Sequence, residues 1–101
     1  MATVQEITER MRTAVGSDSG LGKSLKFDLK GDGYIHIDGG EVSNDDKPAD
    51  LTLTTSKDDL EALGQGTLDP MTAVMSGRLA LSDMGLAMSM QPKLQALFSR
   101  M

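Results

Sequence analysis

The chain has 101 residues, no cysteine, a formal charge of −5 and a pI near 4.6. That length supports one domain (residues 1–101) with a real core and little room for a large cavity. The acidic balance argues against nucleic acid as a partner and leaves at most transient membrane contact; the missing thiols exclude a disulfide, a thiolate zinc site and a cysteine nucleophile.

Thr3-Val4-Gln5-Glu6 has the form of a capping box, in which the threonine hydroxyl and the glutamate satisfy each other's end of a helix. Val4, Ile7, Met11 and Val15 then fall on one stripe, which predicts an amphipathic helix of about three turns. Gly16 to Gly22 is a glycine- and serine-rich link. Leu25, Phe27 and Leu29 alternate with Lys26, Asp28 and Lys30, Gly31-Asp32-Gly33 turns the chain, and Tyr34 to Asp38 alternates again with Ile35 and Ile37 inward. Glu41 to Asn44 is a short third strand, and Ala49 to Thr55 a fourth, after a polar turn through Asp45, Asp46, Lys47 and Pro48. Each strand is apolar on one side only, so the sheet is expected to have one face in water and to need a cover for the other.

Ser56-Lys57-Asp58-Asp59 opens a helix with Leu60, Ala62 and Leu63, stopped by Gly64 and Gly66. Asp69-Pro70 starts another, since the carboxylate accepts from early amides and proline lacks only a donor the first turn leaves unpaired; Gly77 ends it. Arg78 to Ser82 alternates as a fifth strand with Leu79 and Leu81 inward. Ser82 or Asp83 caps a helix through Met84, Leu86, Ala87, Met88 and Met90, and Pro92 is expected to start a separate last helix carrying Leu94, Leu97 and Phe98. That last segment, hinged at the proline, is expected to act as a mobile lid. The order gives an α/β protein of α+β type, a five-stranded, mostly antiparallel sheet with helices gathered on one face.

No catalytic constellation emerges. His36, the only histidine, shares the polar side of its strand with Tyr34 and Asp38 and is expected to be exposed. Asp45-Asp46 with Asp50, and Asp58-Asp59-Leu60-Glu61, lack the ligand spacing of a calcium loop. Gly22-Lys23 lacks the upstream part of a phosphate loop, and no helix follows Gly31-x-Gly33 as a dinucleotide site requires. No serine stands in a nucleophile elbow. The expectation is a protein that is not an enzyme and uses no metal or cofactor. The distinctive feature is methionine: five of the eight lie at 71, 75, 84, 88 and 90. Unbranched and polarizable, methionine suits a surface that must fit several shapes, whereas a purely structural core takes leucine, isoleucine and valine. On composition alone, methionines at helical spacing read as ordinary core; aromatics at only 3% and the short, glycine-bounded helices fit instead a layer short of bulky filler that leaves a gap above the sheet.

Lys47-Pro48-Ala49-Asp50-Leu51-Thr52-Leu53-Thr54, then Asp58-Asp59-Leu60 with Ala62-Leu63, Gly66-x-Leu68-Asp69-Pro70, Gly77-Arg78-Leu79-Ala80-Leu81 and Met84-Gly85-Leu86-Ala87-Met88 resemble the sterol carrier protein two family of lipid-transfer domains. The resemblance runs from about Leu25 to the C-terminus. It implies a five-stranded sheet with helices on one face, and an apolar tunnel between them that holds a sterol, fatty acid, fatty acyl-CoA or phospholipid, without enzymatic activity. By position it assigns the lipid contacts to Leu60, Leu63, Met71, Val74, Met75, Leu86, Met88, Met90, Leu94 and Phe98, with Gln91 as a polar contact. An accessory packing module without a transported ligand is the alternative. The N-terminal residues lack a basic-then-apolar signal pattern, and no apolar run reaches the ~18–20 residues of a membrane span. The expected compartment is therefore the cytoplasm, with the peroxisome as the alternative because Ser99-Arg100-Met101 resembles a Ser-Lys-Leu address.

Overall fold

A computed structural model describes residues 3–16, 20 and 22–100. Part of the glycine-rich link (Ser17, Asp18, Ser19 and Leu21) and Met101 of the C-terminal tripeptide lie outside the described residues.

Helix α1 (Val4–Val15) begins with the expected capping box: Thr3 Oγ1 accepts from Glu6 N at 3.1 Å and Thr3 N donates to Glu6 Oε1 at 3.3 Å. Strands β1 (Leu25–Asp28), β2 (Tyr34–Asp38), β3 (Glu41–Ser43), β4 (Leu51–Thr55) and β5 (Leu79–Leu81) form one sheet in the order β3-β2-β1-β4-β5. All neighbours are antiparallel except β1 and β4, because the β2–β3 hairpin grows outward from one side of β1 and the chain returns to the other. The register aligns two apolar rows across the pleat, Val42-Ile37-Leu25-Leu51 and Ile35-Phe27-Leu53-Leu81. Burying each large side chain in these rows contributes about 1.5–3 kcal/mol, and a one-residue slip would turn every one of them to solvent.

The parallel pair is pinned where it starts. Ser24 donates to Asp50 Oδ2 from both its backbone N (2.9 Å) and its hydroxyl (3.1 Å), while Asp50 N donates back to Ser24 Oγ (2.9 Å). These bonds, the backbone one first, hold the Asp50 carboxyl below the ordinary carboxylate range.

Helices α2 (Lys57–Gln65), α3 (Pro70–Met75) and α4 (Met84–Arg100) join α1 over the apolar face, and their buried residues form one cluster with those of the sheet. Helix α2 runs through Gly64 and stops at Gly66, whose φ of 79° provides the left-handed cap. The opposite face of the sheet is less open than the alternation suggests. The β3–β4 connection folds over it, where Lys26 pairs with Asp46 at 2.7 Å. His36 is accordingly buried, at 5% exposure, and its Nε2 lies 3.1 Å from the carbonyl of Pro48. A carbonyl only accepts, so that nitrogen carries the proton. The expected exposed histidine is thus a structural tie to the loop.

A second correction concerns α4, which runs unbroken from Met84 to Arg100 with Pro92 inside it. Interior proline costs about 3 kcal/mol. The helix carries it because Ala87, Met90, Leu94, Leu97 and Phe98 continue one buried stripe through the proline. The last three alone contribute about 1.5–3 kcal/mol each, which exceeds the penalty. No break at Pro92 separates a lid.

Asp50→Asn should lower stability at neutral pH. A carboxyl whose folded pKa is depressed stabilises above its unfolded value, about 3.9. The gap between wild type and variant in urea unfolding should therefore hold at neutral pH and close as pH falls below about 4. Pro92→Ala should raise stability by about 1–3 kcal/mol, read as a higher urea midpoint at unchanged slope; a lower midpoint would show that α4 depends on a proline bend.

Candidate functional site

One end of the sheet is roofed differently from the rest. Over β4 and β5 the cover consists of α3, only six residues long, and one side of α4. The Asp69 carboxylate caps α3 by accepting from Met71 N at 3.0 Å, and Pro70 occupies the first turn, so the helix starts firmly but ends within two turns. Between it, α4 and the sheet lies a cleft of about 120 Å³. Leu53, Leu79 and Leu81 form its floor. Pro70, Met71 and Val74 form one wall, and Met84, Ala87, Met88, Gln91, Leu94 and Phe98 the other.

Helical spacing explains the walls. Met84, Met88, Gln91 and Phe98 recur at three, four or seven residues along α4, beside the stripe that fills the core. On α3, Ala73 meets the core at 0% exposure while Met71 and Val74 turn toward the cleft. Phe98 closes the inner end, packed edge-on against Phe27 with ring centroids 6.2 Å apart. The outer end is rimmed by methionine: Met71, Met84 and Met88 remain 39%, 51% and 52% exposed. Gln91 is the one polar side chain in the lining. Among the described residues no group of histidine, aspartate or glutamate is placed to hold a metal ion.

Of the residues the resemblance assigns, Met71, Val74, Met88, Gln91, Leu94 and Phe98 meet in this cleft. The others do not line it. Leu60 and Met90 are core residues at 0% and 3% exposure, Leu86 is half-buried against the core, and Leu63 lines a separate groove. Met75 is 84% exposed and lies outside the lining: as the last residue of α3 it is one turn beyond Met71, on nearly the same side of the helix but past the cleft. Conversely, Leu53, Leu79, Leu81, Pro70, Met84 and Ala87 line the cleft without having been assigned to it. The alternation of the strands marked the three leucines as inward-facing, but only the strand order reveals that they lie beneath the thin end of the roof.

The layout defines a class, a two-layer α+β domain with a small apolar cleft between sheet and helices. The sequence matches the SCP-2 sterol transfer family over residues 4–95, and the chain belongs to that family. It is 44% identical over 54 residues to sterol carrier protein 2 of Bos taurus, a match covering 52% of this chain and 10% of that protein. Sterol carrier protein 2 like 2 of Aedes aegypti has the same fold, with a TM-score of 0.72 at 22% identity over 91% of this chain and 93% of that one. Sterol carrier protein 2 of Yarrowia lipolytica, in its apo form, gives 0.70 at 20% identity over 92% and 90%.

Met75→Lys should leave stability within about 0.5 kcal/mol of wild type, as an exposed position requires. Leu53→Ala, on the cleft floor at 0% exposure, should cost about 2–5 kcal/mol. Urea unfolding of the two variants checks both.

Proposed function

We propose that this chain is a non-enzymatic carrier that takes up the apolar part of a lipid in the cleft between α3, α4 and β5, and passes it between membranes. Membership of a family named for sterol transfer supports the reading. The observation that carries it is a lining of eleven apolar side chains and one glutamine, with methionines at the rim.

The volumes make the reading specific. A pocket that holds a drug-sized molecule is typically about 300–1,000 Å³, and an apolar cavity of about 150 Å³ admits benzene. At about 120 Å³, the cleft has space for only a few carbons. A longer chain has to displace the rim. Methionine allows this, because its unbranched side chain changes rotamer at little cost and keeps apolar contact afterwards. At ~0.8 kcal/mol per methylene, ten carbons offer about 8 kcal/mol before the costs of opening and ordering. The affinity should therefore be micromolar or somewhat weaker.

Titration with a medium-chain lipid bearing a fluorescent tail should show saturable binding of one molecule per chain. Ala87→Phe places a ring inside the cleft and should abolish that saturation, with far-UV circular dichroism unchanged. Met88→Lys should weaken binding at least tenfold, through the cost of holding a charge against the chain. Undiminished binding by both variants would move the site elsewhere.

A further inference from the structure

One residue in four of the chain is charged, yet two stretches carry no charge at all. They are residues 70–77, which hold α3 and the turn after it, and 84–92, the first half of α4. Helix α1 shows the usual pattern for a side in water, with Glu6, Glu9, Arg10 and Arg12 at exposed positions. On α3 and α4 the exposed positions carry methionine instead. Among the described residues, the exposed large apolar side chains are Met71, Met75, Met84 and Met88. Within each pair the spacing is four residues, one turn along the same side of the helix, so α3 and α4 each bring a short row of thioethers to the mouth of the cleft.

The polar residues between them have their hydroxyls turned inward. Ser76 Oγ donates to the carbonyl of Ala73 at 3.3 Å and Ser89 Oγ to that of Leu86 at 2.8 Å, each back onto its own helix. Charges stand only at the borders, two of each sign. Asp69 and Asp83 cap α3 and α4 through Met71 N and Leu86 N, Arg78 follows Gly77, and Lys93 lies half-way round α4 from Met84. Such a face gives up little hydration on leaving water and gains the burial of four apolar side chains. Exposed apolar patches bordered by polar residues mark contact surfaces. Protein partners are gripped mainly by tyrosine, tryptophan and arginine, and neither stretch contains one. The cleft opens within the patch, so what covers the patch also delivers or receives what the cleft holds.

We propose that α3 and the first half of α4 dock the mouth of the cleft onto an electrically neutral lipid bilayer, with the four methionines entering between the headgroups. The inference rests on the lipid-carrier reading of the cleft and adds to it a surface and a kind of membrane. An anionic leaflet is disfavoured, because the chain has a formal charge of −5 and the patch has no cluster of lysine or arginine to offset it. Stable anchoring takes two attractions, a buried apolar group and a basic patch or second chain. With only the first, the contact is brief, as a carrier that must leave the membrane requires. While docked, the rim opens against acyl chains instead of water, and a lipid crosses without exposing its chain.

The test follows transfer of the fluorescent medium-chain lipid from the full chain to phosphatidylcholine vesicles at rising vesicle concentration. The wild-type rate should rise with vesicle concentration, because transfer passes through a docked state. It should change by less than about twofold between about 50 and 500 mM salt. Replacing about one third of the phosphatidylcholine by phosphatidylserine should slow it at low salt. Met75→Asp, outside the cleft lining, should slow transfer about tenfold, while equilibrium binding of the same lipid in solution stays as in wild type. Gln5→Asp, which adds the same charge to α1, should change neither. A rate independent of vesicle concentration would overturn docking and leave lipid binding intact. Faster transfer to the phosphatidylserine vesicles would overturn the neutral surface. Equal rates for wild type and Met75→Asp, or equal slowing by Gln5→Asp, would overturn this face as the contact. A dimer in sedimentation velocity that Met75→Asp dissociates would make a second copy the occupant and overturn the bilayer. No saturable binding of the lipid in solution would overturn the carrier reading itself, and this inference with it.

Discussion

The structure depends on one mismatch, between a sheet that is apolar on one face along its whole width and a roof that is thick over only part of it. The two cross-sheet rows place side chains such as Leu25, Phe27, Ile35 and Leu53 at 0% exposure, so the face has to be covered throughout. Helix α1, α2 and the buried stripe of α4 do this over the centre with Ile7, Leu60, Leu94, Leu97 and Phe98, together with two buried methionines, Met11 and Met90. Over β5 the cover passes to α3 and to the methionine side of α4. A six-residue helix buries a single residue fully, Ala73, and does not fill the layer. The cleft is the space left over, and everything inferred about function follows from where that space lies and what lines it.

Much of this layout was legible in the residues. Alternation identified the inward leucines, isoleucines and phenylalanine of β1, β2, β4 and β5, and Thr3, Asp69 and Gly66 marked helix ends through their capping chemistry. Two readings failed for related reasons. A proline predicts a helix break, but the burial stripe continues beyond Pro92, and three buried side chains after it outweigh one lost backbone bond. Strand parity points His36 toward water, but parity does not report that the loop carrying Pro48 covers it. The cleft was only half legible. A methionine cluster signals an adaptable surface, but only the structure shows that Met71 lines the cleft while Met75, one turn later at the end of α3, faces solvent. The floor leucines required the strand order, because β5 pairs with β4, which lies 24 or more residues earlier in the chain.

The continuity of α4 also constrains how the site opens. With its buried residues spread over the whole length from Ala87 to Phe98, the helix cannot release one end without exposing core. The parts with least buried area to lose are the rim methionines and the six-residue α3, which packs on the edge strand β5. On the proposed function, uptake of a lipid therefore calls for rotamer changes at the rim and a small shift of α3, with the sheet and α4 as the fixed frame.

The most direct test of this account uses the methionines as reporters. Carbon-13 methyl spectra of methionine-labelled protein should be recorded during titration with decanol, with resonances assigned by single Met→Leu substitutions. The account predicts that Met71, Met84 and Met88 shift together and saturably, while the exposed Met75 and the buried Met11 stay in place. Shifts at Met11 or Met75 with none at the three rim methionines would contradict it.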